Sequence, residues 1–360
     1  MTTYLLAGGG TAGHVNPLLA VADFLTTNDP DATVVVLGTQ EGLESRLVPA
    51  RGYELVVIPR IPFPRRPNRQ AISFLPRFRA AVAQVTEIIR TRNVDVVVGF
   101  GGYVATPAYL AARRAGKPIA IHEANARPGL ANKLGARLTT TVGVAFPGTP
   151  LRHAEVVGMP LRREIEQLDR TAVRPEALAY FGLEAGRKTL LVTGGSLGAR
   201  RLNTTIVESA RDLTDAGWQV LHITGEKSEV SDPGLAGYTM VAYCDRMDLA
   251  LAAADFAVAR AGSATVSEFS ALGIPAVYVP YPVGNGEQRF NAAGVVSAGG
   301  GVLVKDAEFL PGWVRSELLP RLADDAQVHA MAEAAASVGV LDGSARMSAL
   351  VGQSLRHART

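Results

Sequence analysis

The sequence predicts an α/β protein built from two Rossmann-like, doubly wound parallel-sheet domains, and three observations lead there. Glycine-rich turns close two separate strand-like runs: Gly8-Gly9-Gly10-Thr11-Ala12-Gly13-His14 follows Tyr4 to Ala7, and Gly194-Gly195-Ser196-Leu197-Gly198 follows Lys188 to Thr193. Short β-branched runs without polar alternation recur between helical stretches in both halves, the pattern of strands buried on both faces of a parallel sheet. The 360 residues also exceed the length at which a single core usually stops growing.

In the first half the runs are Thr33 to Leu37, Leu55 to Ile58, Val94 to Val98 and Ile119 to Ile121. In the second they are Leu190 to Thr193, Val220 to Ile223, Phe256 to Ala259 and Ala276 to Val279. The expected join is Val156-Val157-Gly158-Met159-Pro160-Leu161-Arg162, where a strand-like pair meets Gly and Pro. This gives a first domain over 1–161, a second over 162–342 and a C-terminal helix over 343–360 whose packing the sequence leaves open. Ligands of open α/β sheets sit beyond the carboxyl ends of the strands, so two facing halves are expected to hold a ligand between them.

The composition, 48% hydrophobic with a mean hydropathy of +0.15, is that of a globular protein, and no run of 18 apolar residues marks a membrane span. The N-terminus enters a strand without a basic leader or cleavage site, which predicts a cytosolic address. The single cysteine, Cys244, fits a reducing compartment, and the six histidines show no zinc spacing. Net charge is only +3, yet residues 51–92 carry nine arginines against Glu54 and Glu87, a local +7. Such a cluster suits an anionic surface, nucleic acid or lipid, or else a solvated basic face.

Each glycine turn has competing readings. Gly8, Gly10 and Gly13 satisfy G-x-G-x-x-G, the fingerprint of dinucleotide-binding oxidoreductases, but the second strand ends Val36-Leu37-Gly38-Thr39 with no carboxylate at its tip for ribose hydroxyls. Neither turn carries the G-K-[S/T] ending of a nucleoside triphosphatase. What remains is a loop for backbone approach to an anion. His14 opens the following helix, whose positive end favours a neutral, base-competent imidazole.

Arg260-Ala261-Gly262-Ser263-Ala264-Thr265-Val266-Ser267-Glu268 also runs from a strand into a helix. Its amides suit a phosphate and Glu268 suits paired ribose hydroxyls; equally, Glu268 is an ordinary acidic residue early in a helix. The turn-rich Pro280 to Asn291, His122-Glu123-Ala124-Asn125 and Gly101-Gly102-Tyr103 occupy equivalent places after strands, where sugar hydroxyls are usually held. Asp29-Pro30-Asp31, the sole D-x-D, precedes a strand and reads as a turn rather than a metal site. A metal-free mechanism is therefore expected, with helix dipoles and amides stabilising a departing diphosphate.

Seven motifs in order, spanning essentially the whole chain, resemble the bacterial MurG family of UDP-N-acetylglucosamine:lipid I N-acetylglucosaminyltransferases. They are GGGTAGHVNP (8–17), GFGGYVATP (99–107), HEANARPGLANK (122–133), GMPLR (158–162), GGSLGARRLN (194–203), RAGSATVSE (260–268) and GNGEQRFNA (285–293). Ala12, Ala124, Met159, Leu161 and Glu287 stand where the family often has other residues. The resemblance implies the GT-B architecture and inverting β(1→4) transfer of N-acetylglucosamine (GlcNAc) from UDP-GlcNAc to lipid I, giving lipid II for peptidoglycan. No cofactor is implied, since UDP-GlcNAc is a substrate.

By position, the resemblance makes His14 the general base for the acceptor's C4 hydroxyl. It places Glu268 on the ribose, the backbone near Cys244 on the uracil, and Ser196 with the Ser263, Ala264 and Thr265 amides on the diphosphate. Glu287, Gln288 and Asn291 fall at the sugar; Asn125 and Arg162 reach the donor from the other side of the cleft, and Thr11, Ala12 and Gly13 at the loop tip also touch it. The acceptor diphosphate falls to Gly10, Thr11, Gly13, His14, Gly102, Tyr103 and Glu123. A lipid acceptor gives the arginine-rich segment a role: Phe63, Arg65, Arg66, Phe74, Arg77, Phe78 and Arg79 would touch the anionic inner face of the membrane, placing the protein peripherally on its cytoplasmic side. The competing reading puts Phe74, Phe78 and Val82 in the core of an ordinary amphipathic helix. A cell-wall synthesis complex is a further expected partner and nucleic acid is not. The alternatives are a paralogous transferase with a natural-product acceptor and a non-catalytic sugar-nucleotide-binding scaffold.

Overall fold

The computed structural model describes residues 1–61, 69–195, 199–282 and 286–357. The chain forms two compact units, one comprising Met1–Arg163 with Asp342–Thr360 and the other Glu164–Leu341.

The first unit carries a parallel sheet of β1 (Thr3–Gly8), β2 (Thr33–Gly38), β3 (Glu54–Val57), β4 (Val96–Gly101), β5 (Ile119–Glu123), β6 (Val142–Val144) and β7 (Ala154–Val156), in the order β3-β2-β1-β4-β5-β6-β7. The continuous apolar runs have a simple cause. Leu5, Ala7, Val35, Leu37 and Val97 face one core, which includes Val85, Ile89 and Tyr109. Tyr4, Leu6, Val34, Val36, Val96 and Val98 face a second core with Val15 and Leu18 of the helix Ala12–Asn28. Alternate residues thus point to opposite faces, and both faces are buried.

The helix Gly343–His357 covers that second face: Met347, Leu350 and Val351 join its core. A Cβ on Gly343 would lie 2.3 Å from the Met159 carbonyl oxygen, so the outgoing and returning chain segments touch where only glycine fits.

The second unit repeats the arrangement with β8 (Thr189–Thr193), β9 (Gln219–Ile223), β10 (Tyr238–Val241), β11 (Phe256–Ala259), β12 (Ala276–Tyr278) and β13 (Gly301–Leu303), all parallel, in the order β10-β9-β8-β11-β12-β13. In both units the strand order reverses beside the first strand, between β1 and β4 and between β8 and β11. Ligands bind at such switch points, outside the carboxyl ends of the strands.

One expectation fails at an edge. The run Leu55 to Ile58 reads as buried on both faces, but β3 is an edge strand with Glu54 and Val57 exposed. The turn reading of Asp29-Pro30-Asp31 is observed, with the Asp31 amide donating to Asp29 Oδ1 at 3.1 Å. No helix among the described residues is long and apolar enough to cross a membrane.

Two buried histidines give the fold an acid limit. His122 donates from Nε2 to the Gly158 carbonyl at 3.0 Å, and burial pushes it down to about 4. Burial likewise pushes His222, bonded to Tyr238 and Asn203, down to about 4. Both are neutral in the fold and accept a proton more readily when unfolded. Their contribution is therefore complete above the unfolded value near 6.5 and is lost as pH falls from there toward 4, by roughly 3 kcal/mol for each histidine at most. The denaturant midpoint is expected to fall steadily over that window; a flat profile would refute this assignment.

Candidate functional site

At the first switch point, β1 and β4 shift register so that Ala7 pairs with Gly99 but Gly8 with Gly101, which sets the two glycine loops side by side. Gly101 and Gly102 have φ of +98° and +82°, a region that favours glycine. A Cβ on Gly102 would stand 2.6 Å from the Gly9 carbonyl oxygen. The second loop therefore rests on the backbone of the first.

The helix Ala12–Asn28 begins without a side-chain cap, and among the described residues nothing accepts from the amides of Thr11, Ala12 and Gly13. Gly10 and Thr11 are exposed. Three amides and the positive helix end thus form a place for an anion. Gly10 is an exception to its expected role, because its N–H donates at 2.8 Å to Oε2 of Glu44, a wholly buried carboxylate. His14 lies half-buried with Nδ1 at 3.1 Å from the Gly9 carbonyl and 3.3 Å from Thr11 Oγ1. A carbonyl only accepts, so a hydrogen bond to Gly9 requires the proton on Nδ1, and that tautomer leaves the Nε2 lone pair uncommitted.

Glu123 sits behind the site rather than in it. Its buried carboxylate accepts from the Asn125 and Gly129 amides and from Asn132 Nδ2, at 2.9, 3.0 and 2.9 Å. Tyr109 donates to Asn132 Oδ1 at 2.7 Å, completing a scaffold that shapes the 124–129 loop. Tyr103 is exposed at the loop tip, and Arg60, absent from the sequence-predicted residues, stacks 4.7 Å from its ring centroid. Asn125 and Arg162 are half-buried.

At the second switch point the helix Ser263–Ala271 also starts uncapped, after Gly262, and no described residue accepts from the Ser263, Ala264 and Thr265 amides. Glu268 is half-buried on that helix, and Cys244 is half-buried beyond β10. Gln288 Oε1 accepts from the Tyr281 amide at 2.8 Å and Asn291 Nδ2 donates to the Ala261 carbonyl at 3.3 Å, so both brace the loops around the site. Glu287 opens the helix Glu287–Asn291. Ser196 lies outside the described residues, as do Phe63, Arg65 and Arg66.

Sequence reasoning also missed how this loop is anchored. Arg260 is buried, pairs with Asp306 at 2.6 Å and donates to the Val279 and Pro280 carbonyls at 3.0 and 3.3 Å. This pins the chain leaving β12. Removing one member of a buried pair strands the other, so Asp306→Ala is expected to destabilise the second unit by about 3 kcal/mol. A denaturant midpoint unchanged from the wild type would contradict the pinning.

On the helix Arg69–Thr91, Val82 packs against the core, as the amphipathic-helix reading expects. Phe74 and Phe78 are only half-buried and stack on each other at 5.4 Å, beside exposed Leu75, Arg77 and Arg79.

Comparison with known proteins identifies the family. Residues 4–144 match the glycosyltransferase family 28 N-terminal domain and residues 189–347 its C-terminal domain. A UDP-N-acetylglucosamine–N-acetylmuramyl-(pentapeptide) pyrophosphoryl-undecaprenol N-acetylglucosamine transferase from Leifsonia xyli is 70% identical over 98% of both chains. The transferase of the same name from Clavibacter sepedonicus is 64% identical, covering 98% of this chain and 96% of its own. The crystal structure of Acinetobacter baumannii MurG superposes with a TM-score of 0.81 at 27% identity, covering 98% of this chain and all of that one. The chain thus belongs to glycosyltransferase family 28 and, within it, to the MurG transferases, with the two Rossmann-like sheets of the GT-B fold.

Proposed function

We propose that the protein transfers GlcNAc from UDP-GlcNAc to the C4 hydroxyl of the N-acetylmuramyl sugar of lipid I, forming lipid II for peptidoglycan. The observation that carries this reading is His14, set beside three unspent amides with its Nε2 uncommitted. The acceptor diphosphate takes the amides of Thr11, Ala12 and Gly13, with Gly102 and Tyr103 shaping the pocket and Glu123 holding the neighbouring loop. His14 Nε2 takes the proton of the C4 hydroxyl, whose oxygen attacks C1 of GlcNAc opposite the diphosphate. The C1–O bond breaks, its electron pair leaves with UDP, and the configuration inverts.

On the donor side, Glu268 takes the ribose and the backbone near Cys244 the uracil, while the Ser263–Thr265 amides stabilise charge on the departing diphosphate. Glu287, Gln288 and Asn291 hold the sugar, with Asn125 and Arg162 supporting the donor. A calorimetric titration tests this half: UDP-GlcNAc is expected to bind with EDTA present, and Glu268→Gln to weaken binding about tenfold, the loss of roughly one charge-assisted hydrogen bond. Binding unaffected by Glu268→Gln would overturn the ribose assignment.

We assign the exposed Leu75, Arg77 and Arg79, with Phe74 and Phe78 beside them, to an anionic membrane surface, which places the protein peripherally on the cytoplasmic face where the lipid acceptor lies. Sedimentation with anionic liposomes at low salt, and loss of sedimentation in Arg77→Glu/Arg79→Glu, is the expected result; no sedimentation would remove the assignment.

A further inference from the structure

Glu44 is wholly buried, stands 30 residues beyond His14 in the chain, and belongs to none of the motifs above. It opens the short helix Glu44–Ala50 after β2 and is walled by glycines: a Cβ on Gly9, Gly38 or Gly42 would stand 2.3, 2.5 or 2.0 Å from its side chain. Oε1 accepts from the Thr39 amide at 2.9 Å and the Thr39 hydroxyl at 2.8 Å, while Oε2 accepts from the Gly10 amide at 2.8 Å. Burial alone would push this carboxyl up, yet the donors from Gly10, its own amide and Thr39 hold it below its ordinary value. It is an anion at neutral pH.

The Gly10 N–H and the Gly9 C=O belong to one peptide unit. Its N–H is held by Glu44, and its C=O by Nδ1 of His14 at 3.1 Å. An anion accepting from a peptide N–H polarises the amide and makes its carbonyl a better acceptor, since hydrogen bonds in a chain strengthen one another. A competitor is present at the same nitrogen. Thr11 Oγ1 lies 3.3 Å from Nδ1 and can donate to it, which would stabilise the opposite tautomer, with the proton on Nε2 and no base facing out.

We propose that Glu44 is a positioning residue for His14, acting through the Gly9–Gly10 peptide to keep the proton on Nδ1 and so keep Nε2 available as a base. The arrangement plays the part of the carboxylate behind a catalytic histidine, with a peptide unit interposed. It also explains why the Gly10 amide is turned away from the anion site. The inference rests on His14 being the base, and its test separates the two ideas.

The test is ¹⁵N–¹H correlation of the imidazole nitrogens at pH 8 in full-length protein, with the His14 signals assigned by their absence in His14→Gln. Wild-type protein is expected to show the Nδ1–H tautomer. Glu44→Gln is expected to add the Nε2–H form and to lower kcat about 10- to 100-fold, the loss seen when a metal-bound histidine loses the partner that orients it. UDP-GlcNAc affinity should stay within twofold. In Glu44→Gln/Thr11→Val, with the competing hydroxyl gone, the Nδ1–H form should return. An Nε2–H tautomer in the wild type overturns the proposal even if no variant folds, and so does a kcat loss in Glu44→Gln with the tautomer unchanged. Retention of kcat in His14→Ala would instead strike the base assignment alone.

Discussion

Replacing His14 with alanine is expected to lower kcat by about 10²- to 10⁴-fold, the range a positioned general base usually supplies. The imidazole makes two local contacts, to the Gly9 carbonyl and to Thr11 Oγ1, and is only half-buried. Its loss should therefore leave the first unit folded. UDP-GlcNAc affinity should be unchanged, because the proposed donor contacts to ribose, uracil and diphosphate lie in the second unit. The comparison is made by single-turnover transfer together with titration of the donor. A variant that keeps wild-type kcat removes His14 from the chemistry; one that loses donor affinity in the same proportion makes it a binding residue.

The second large effect is expected at Gly102. An alanine there meets two penalties at once. A φ of +82° costs an L-residue about 1–2 kcal/mol. Its Cβ would also stand 2.6 Å from the Gly9 carbonyl oxygen, which cannot withdraw without pulling the peptide away from His14 and Glu44. Gly102→Ala should thus disturb the first loop more than the fold, with kcat falling at least tenfold while the denaturant midpoint drops only modestly. Gly52, with φ +79° and nothing within 4 Å of an added Cβ, provides the comparison. Alanine at Gly52 should cost stability without touching kcat. Equal activity losses at both glycines would mean that the Gly9 contact is not what matters.

The central strands of both sheets were legible because parallel strands buried on two faces leave uninterrupted apolar runs such as Val34 to Leu37 and Leu190 to Val192. The strands that escaped are short and lie toward the sheet edges. Gly143 divides β6, all three residues of β7 are exposed, β10 is mostly half-buried, and β13 begins with a glycine. Their apolar runs are too short or too interrupted to mark a buried strand. The same limit governs the site. The strand-to-helix turns before His14 and Ser263 were legible because a glycine turn and its following helix are contiguous in sequence. Glu44 was not, because its partner amide is 34 residues away and no spacing rule links them. The tip of β2, Val36-Leu37-Gly38-Thr39, carries no carboxylate. The carboxylate five residues on is turned inward to Thr39 and the glycine loop. Arg260 shows the same limit: its partners, Asp306 and the Val279 and Pro280 carbonyls, lie 19 to 46 residues further along the chain.

Transfer itself is the decisive measurement, made with labelled UDP-GlcNAc and a lipid I analogue carrying a shortened lipid, in the presence of EDTA, with the product's linkage read by NMR. A disaccharide joined β(1→4) to the N-acetylmuramyl sugar is the predicted result. Absence of product from protein that binds UDP-GlcNAc, or a product with retained configuration, would contradict it.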